Sequence, residues 1–262
     1  RGEHQPGDLP QPFPIDPDHR GDDPQNRQVG DGRSGVFHQS FKQLESSTQQ
    51  MPDDDRANDV RDQIQKHLQR IGAVFSTKRG ITSFGFRRGL NGRLPENIAL
   101  REVSEVSSTF HPRFDAVGKH YRYTILNREP PSPLFRERAW HKVGKLDTKR
   151  MQEAAYLLLG EHDFSAFRAS GCGANTPHRR LDRIKVLRAG DMIHIDIWGN
   201  AFLRNMVRII AGTLVDVGRG ATSLDQAKAI LESKDRTLAG MTAPAQGLTL
   251  VEVFYPPGDR ET

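Results

Sequence analysis

With 262 residues the chain is long enough for one substantial core or two small ones, yet 35% hydrophobic residues and a mean hydropathy of −0.66 imply that part of it does not fold. A single cysteine, Cys172, excludes a disulfide framework and a cysteine-based metal site. No run approaches the roughly 18 apolar residues of a membrane span, and the first residues carry no apolar signal region, so a soluble, cytoplasmic protein without membrane association is expected.

The charge is unevenly spread. Residues 1–72 hold 9 basic and 13 acidic side chains, a net of −4, while the remainder holds 29 against 20, a net of +9. A globular unit with that excess favours a polyanionic partner, of which RNA and DNA are the usual ones, although solvated surface charge gives the same count.

The first segment reads as disordered or weakly helical. It contains Pro6, Pro10, Pro12, Pro14, Pro17 and Pro24, repeated acidic residues and few aromatics, among them Phe13, Phe37 and Phe41. A helix over 59–69 would bury just the thin stripe Val60, Ile64 and Leu68. The character changes at Ala73, so residues 1–72 are set apart as an atypical segment and 73–262 as the folded domain.

From there the elements follow in order. A short strand is expected over 73–77, a helical turn over 84–90, ended by Asn91-Gly92 and Leu94-Pro95, and a strand over 98–106. The next strand, 120–126, alternates Tyr121, Tyr123 and Ile125 with Arg122 and Thr124, and 140–143 adds another. Asp147 is placed to cap a helix with apolar positions Met151, Ala154, Ala155, Leu157 and Leu158, and Gly160 to stop it. Two strands, 181–187 and 192–198, flank the turn Arg188-Ala189-Gly190. A long helix over 202–217, a second from Ser223 to Ser233 and a last strand over 248–254 complete the chain. Paired antiparallel strands with interspersed helices argue an α+β fold, an antiparallel sheet with helices on one side.

Three groups of residues could carry chemistry. On a helix beginning at Phe202, Arg204 and Arg208 fall four apart along one edge, where an anion would relieve their repulsion; two solvated arginines fit the spacing as well. His111 and Arg113 within Phe110-His-Pro-Arg-Phe114, with Arg122 beside Tyr121, mix bases and aromatics as single-stranded RNA binders do, though Tyr121 and Tyr123 also fit a core pair. The third, His162, Asp163, Arg168, His178, Arg179 and Arg180, falls in or near a glycine-rich loop. Metal and nucleophile templates fail: His194 and Asp196 share a strand face without a third ligand, and neither a nucleophile elbow nor a phosphate-binding loop is present.

Taken together, Leu90-Asn-Gly-Arg-Leu-Pro95, Phe110-His-Pro-Arg-Phe114, Tyr121-Arg-Tyr123, Leu159-Gly-Glu-His-Asp-Phe164 with Ser165-Ala-Phe-Arg168, Gly199-Asn-Ala-Phe-Leu-Arg-Asn-Met-Val-Arg208 and Ala243-Pro-Ala-Gln-Gly-Leu248 resemble the tRNA pseudouridine synthase A family. They stand in family order over about 180 residues, from roughly 73 to 255. The resemblance implies isomerisation of uridine to pseudouridine at positions 38 to 40, in the anticodon stem-loop of tRNA, by a homodimer using neither metal nor organic cofactor. It implies an aspartate that attacks the flipped-out nucleotide so that the base detaches, turns and re-bonds through carbon. Tyr121 matches the tyrosine placed against the target base. Arg208 matches an arginine that keeps the aspartate ionised. Arg113, Arg168, Asn200 and Phe202 fall at substrate-binding positions.

One part of the pattern is missing. The family's Gly-Arg-Thr-Asp-x-Gly-Val-His motif does not occur, and ungapped counting from Asn91 and Phe75 puts its aspartate slot on Gln63, with Arg61 and His67 at the motif's Arg and His positions. Glutamine cannot act as a carboxylate nucleophile, and Asp62 is the nearest carboxylate. A strand-rich first lobe is likewise unrecognisable, so the N-terminal lobe is expected to be incomplete or disordered. Residues 1–72 read either as a frameshifted or wrongly joined frame, or as a diverged lobe in which Asp62 serves. The corresponding alternatives are an active isomerase and an inactive tRNA-binding remnant.

Overall fold

A computed structural model describes residues 81–104, 106 and 110–256. The expected helix over 59–69, the strand over 73–77, Asp62 and the contrast drawn at residue 72 lie outside them. The described residues divide between two compact units, one holding those up to Phe114 with Pro256, the other Asp115–Tyr255.

In the first unit the helical turn is a full helix, α1 (Ser83–Asn91). The Thr82 hydroxyl accepts from the Gly85 N–H and satisfies one of its open donors. The strand expected over 98–106 does not form among the described residues. Side chains take its backbone groups instead: Asn91 accepts from the Leu100 N–H at 2.7 Å and donates to the Leu100 carbonyl at 2.9 Å, while Arg87 donates to the Arg101 carbonyl. A carboxamide thus imitates a neighbouring strand, and the segment stays extended without a ladder.

The second unit is built on a six-stranded sheet of β1 (Gly118–Asn127), β2 (Trp140–Lys142), β3 (Gly160–Asp163), β4 (His178–Ala189), β5 (Met192–Gly199) and β6 (Leu248–Phe254), ordered β2-β1-β5-β4-β3. One edge of β1 pairs with β5. The other is shared, by antiparallel β6 along 118–123 and by parallel β2 along 125–127. The sheet is therefore mixed, not wholly antiparallel, because the chain from Asn127 crosses over to Trp140 and runs beside β1 in the same direction.

Alternation sorts the strands into two faces. Tyr123 and Ile125, Ile193, Ile195 and Ile197, and Ile184 and Val186 form the buried face. Covering it are α2 (Thr148–Tyr156), α3 (Met206–Gly218) and α4 (Leu224–Ser233), whose Met151, Ala154, Ile209, Ile210, Leu214 and Ile230 join the same core. Burial of each large side chain contributes about 1.5–3 kcal/mol. The caps fall where the sequence put them. Asp147 accepts from the Lys149 and Arg150 N–H groups, and Ser223 forms a capping box with Gln226.

Three expectations shift. α2 ends at Tyr156, before Gly160, which opens β3 at φ +93°. His162 and Asp163 are strand residues opposite Arg179 and His178, so the glycine-rich loop is confined to the chain between them. α3 starts at Met206, not Phe202: Asn205 adopts φ +58°, which breaks the helical path and leaves Phe202 and Arg204 ahead of it. Arg204 and Arg208 are consequently not neighbours on one helix edge.

Candidate functional site

The site lies on the buried face of the sheet where β1 meets the start of α3. Tyr121, paired with Ile197, is half-buried, and Phe202 meets it edge-on with ring centroids 5.1 Å apart. Burial raises the Tyr121 phenol above its usual pKa, so it stays protonated at neutral pH. Phe202 is held by its neighbour: Asn200 Oδ1 accepts from the Arg180 N–H at 3.0 Å and the Ala201 N–H at 2.7 Å, which fixes the exit from β5.

Two residues beyond Tyr121 on the same face, Tyr123 is fully buried. Its hydroxyl donates to the Pro244 carbonyl at 2.7 Å, and its ring lies against Gly247, where an added Cβ would come within 2.7 Å of Cζ. Burial pushes its pKa up and the Arg208 charge opposes this. The segment it grips also needs Gly212 on α3, since a Cβ there would sit 1.9 Å from the Met241 carbonyl oxygen.

Arg208 is fixed from both ends of this arrangement. Its Nε donates to the Ala243 carbonyl at 2.6 Å, its Nη1 to Asn205 Oδ1 at 3.1 Å, and its own carbonyl accepts from the Ala243 N–H at 3.1 Å. Its pKa is lowered by burial, with Tyr123 opposing, but a guanidinium remains charged at any ordinary pH. Among the described residues no carboxylate pairs with it. An oriented, partly desolvated cation beside a protonated tyrosine suits an anionic group presented to it.

The other expected residues are placed as follows. Arg168 Nη2 donates to the Cys172 and Ala174 carbonyls, so it braces its own loop. The same loop is laced to the chain before α3: Ala169 N–H donates to the Arg204 carbonyl, and the Arg204 N–H donates to Cys172 Sγ. The Cys172 thiol is partly buried, which raises its pKa, but hydrogen bonds from the Arg204 and Ala174 N–H groups and from Arg168 outweigh this and lower it. Arg113 belongs to the first unit, with its guanidinium 5.6 Å from the Phe114 ring and its N–H donating to His111 Nδ1. Asp62 lies outside the described residues. The structure thus brings Tyr121, Phe202 and Asn200 together, sets Arg208 against Tyr123 on the same face, and puts Arg168 on the adjoining loop.

Asn205 and Tyr123 are site residues that the sequence reading passed over. A left-handed asparagine inside an apolar 3.6 pattern leaves no periodic signal, and Tyr123 read equally as core. On the opposite face, Asp196 is engaged by Arg122 and His120. It is 2% exposed, takes Arg122 Nε at 2.8 Å and Nη2 at 3.0 Å as a two-pronged pair, and contacts His120 Nε2 at 2.7 Å. His120 stacks on Trp198 at 4.0 Å, and the Arg183 guanidinium lies 5.1 Å from the Trp198 ring.

Residues 154–256 match the family described as tRNA pseudouridine synthase. The chain is 48% identical over 191 residues to the tRNA pseudouridine synthase A of Geobacter sp. (strain M21), covering 72% of this chain and 77% of that protein. It is 50% identical over 189 residues to the protein of the same name from Geotalea uraniireducens (strain Rf4), covering 72% and 78%. With that of Acetivibrio thermocellus the figures are 48% over 183 residues, 70% and 75%.

Proposed function

The chain belongs to the tRNA pseudouridine synthase A family, and from that premise we propose that it isomerises uridine to pseudouridine in the anticodon arm of tRNA. The observation that carries the chemical part of this reading is the Arg208 guanidinium, oriented by Ala243 and Asn205 and without a carboxylate among the described residues. In the reaction a carboxylate attacks the nucleotide, the bond from N1 to the sugar breaks, the base turns, C5 bonds to the sugar carbon, and the carboxylate's own bond to the nucleotide breaks to release it. The C5 proton is given up and N1 gains one, so nothing is oxidised or reduced. Arg208 holds the carboxylate ionised for the attack, since an opposite charge lowers a carboxyl pKa by roughly 1–3 units. Tyr121, kept neutral by burial, offers its ring to the flipped-out base, with Phe202 setting its angle.

In the same reading Arg113, Arg168 and Asn200 serve the RNA, Asn200 by fixing the backbone ahead of Phe202 and Arg168 by bracing the adjoining loop. Asp62 supplies the carboxylate, the enzyme needs neither metal nor organic cofactor, and it works as a cytoplasmic homodimer. No helix among the described residues is long and apolar enough to cross a membrane. The test is nucleoside mass spectrometry of anticodon-arm tRNA incubated with the chain, with Arg208→Gln and with Asp62→Ala. Pseudouridine from the unaltered chain alone supports both assignments, and pseudouridine from Asp62→Ala removes Asp62 from the role.

A second reading, tRNA binding without turnover, is favoured by the glutamine, Gln63, at the aspartate slot. It predicts a salt-sensitive tRNA complex and no pseudouridine at any enzyme concentration.

A further inference from the structure

Arg179, on β4 opposite His162, is the site of an unusual deficit. Its Nε is out of reach of solvent and has no hydrogen-bond partner, the one such side-chain atom among the described residues. Its Nη1 is used, donating to the Thr176 and His178 carbonyls. The unused edge, Nε with Nη2, is the two-pronged edge with which Arg122 grips the Asp196 carboxylate in this same molecule. No carboxylate among the described residues pairs with Arg179 or with Arg168. Burial lowers the Arg179 pKa, Cys172 opposes this, and Arg168 is close enough for its charge to add a smaller lowering. A buried donor without a partner disfavours the structure that holds it, and like charges nearby add to the cost.

Position gives the deficit a direction. Arg179 shares its strand face with Leu181, which pairs with Gly199, and an added Gly199 Cβ would lie 3.4 Å from the Phe202 ring. Arg179 therefore sits on the face that carries Tyr121 and Phe202, at the end of β4 next to the loop 169–177. We propose that Arg179 is an RNA-contacting residue whose Nε and Nη2 edge takes a backbone phosphate of the tRNA beside the nucleotide at Tyr121. This deepens the tRNA-substrate reading and rests on it. A phosphate presents two oxygens at the spacing of a carboxylate and carries the charge that the Arg168 and Arg179 pair lacks. Because Nε is out of reach of solvent, the contact needs local movement and forms as RNA seats, not in advance.

The experiment is binding of an unmodified tRNA transcript across a salt series, with thermal unfolding of each protein alongside. Arg179→Gln is expected to weaken binding about tenfold near 0.1 M salt and to reduce the slope of log affinity against log salt by about 0.7 to 0.9, the loss of one phosphate contact. Arg179→Lys, which keeps the charge but not the fork, is expected to keep the slope and lose about threefold in affinity. Arg138→Gln, an exposed arginine elsewhere, should leave the slope unchanged. An unaltered slope in Arg179→Gln, a reduced slope in Arg179→Lys, or loss of the folded state in Arg179→Gln overturns the assignment and makes Arg179 a structural residue. Absence of tRNA binding by the unaltered chain sinks the substrate reading itself, and this inference with it.

Discussion

The two faces of the sheet treat arginine in opposite ways. On the face away from the helices Arg122 spends its fork on Asp196, a carboxylate 2% exposed that also contacts His120, and the three form a closed unit. On the helix-covered face Arg208 is anchored through two neutral oxygens, of Ala243 and Asn205, and Arg179 through two more, of Thr176 and His178. Neutral anchors orient a guanidinium without cancelling its charge. A carboxylate does both. The first arrangement therefore serves the fold, and the second leaves positive potential on the face that carries Tyr121.

If the contrast is real, breaking each kind of arginine should damage a different property. Arg208→Gln keeps a polar side chain but loses the charge, and we expect pseudouridine formation per folded molecule to fall on the order of a thousandfold, equivalent to about 4 kcal/mol of barrier. Its stability to urea should fall by about 1 kcal/mol, because the Ala243 carbonyl loses its donor, a loss far too small to explain the drop in turnover per folded molecule. A variant with near-normal turnover would show that Arg208 belongs with Arg122 as a structural cation.

Arg122→Met is the reverse experiment. It leaves the Asp196 carboxylate buried with His120 as its remaining partner, and breaking a buried pair from one side costs about 3 kcal/mol, near the low end because the Arg122 side chain is 43% exposed. Urea denaturation should show that loss, while tRNA affinity per folded molecule stays within about twofold. Replacing the pair together, Arg122→Met with Asp196→Leu, should restore much of the stability, because it removes the stranded charge.

Tyr123→Phe tests the link between packing and site. The ring still fills its place against Gly247, but the Pro244 carbonyl loses its donor, a deficit of about 1 kcal/mol by equilibrium unfolding. Because Pro244 adjoins the Ala243 carbonyl that orients Arg208, turnover should also drop about threefold to tenfold, with substrate affinity changed less. A stability loss without that drop would place Tyr123 in the core alone.

Much of this contrast was legible in the sequence, and its failures share a cause. The strict alternation in Tyr121-Arg-Tyr123 and in Ile193, Ile195 and Ile197 gave β1, β5 and their two faces, and 248–254 gave β6 to the residue. Local caps at Asp147 and Ser223 were equally plain. What the pattern could not give were backbone groups satisfied from afar. The extended run after Ile98 is completed by side chains of α1, and β3 exists because the polar Gly160–Asp163 finds the start of β4. Asn205 hides for a related reason: the spacing of Phe202, Met206 and Ile209 suits a helix whether or not one residue between them turns left-handed. Motif resemblance supplied Tyr121 and Arg208, but not the neutral anchors that distinguish Arg208 from Arg122.

The smallest expected effect tests how far the closed unit on the face away from the helices reaches. His194 lies on that face opposite Thr124, whose hydroxyl is 3.3 Å from Nδ1. Its pKa is lowered first by burial and then by Arg122, with Asp196 pulling the other way. A histidine whose folded pKa lies below its unfolded value of about 6.5 is kept neutral by the fold. As pH falls through 6.5 the unfolded chain takes up a proton that the folded chain refuses, so His194 favours folding fully above that pH and progressively less below it. The urea midpoint should therefore rise between about pH 5.5 and pH 7.5, by less than one proton's worth of slope. His194→Gln should flatten that rise. In Arg122→Met the repulsive charge is gone while burial and Asp196 remain, so the His194 contribution should shrink without changing sign, tying the histidine to the same pair. An unchanged slope in Arg122→Met would leave burial as the whole cause and end the closed unit at Asp196.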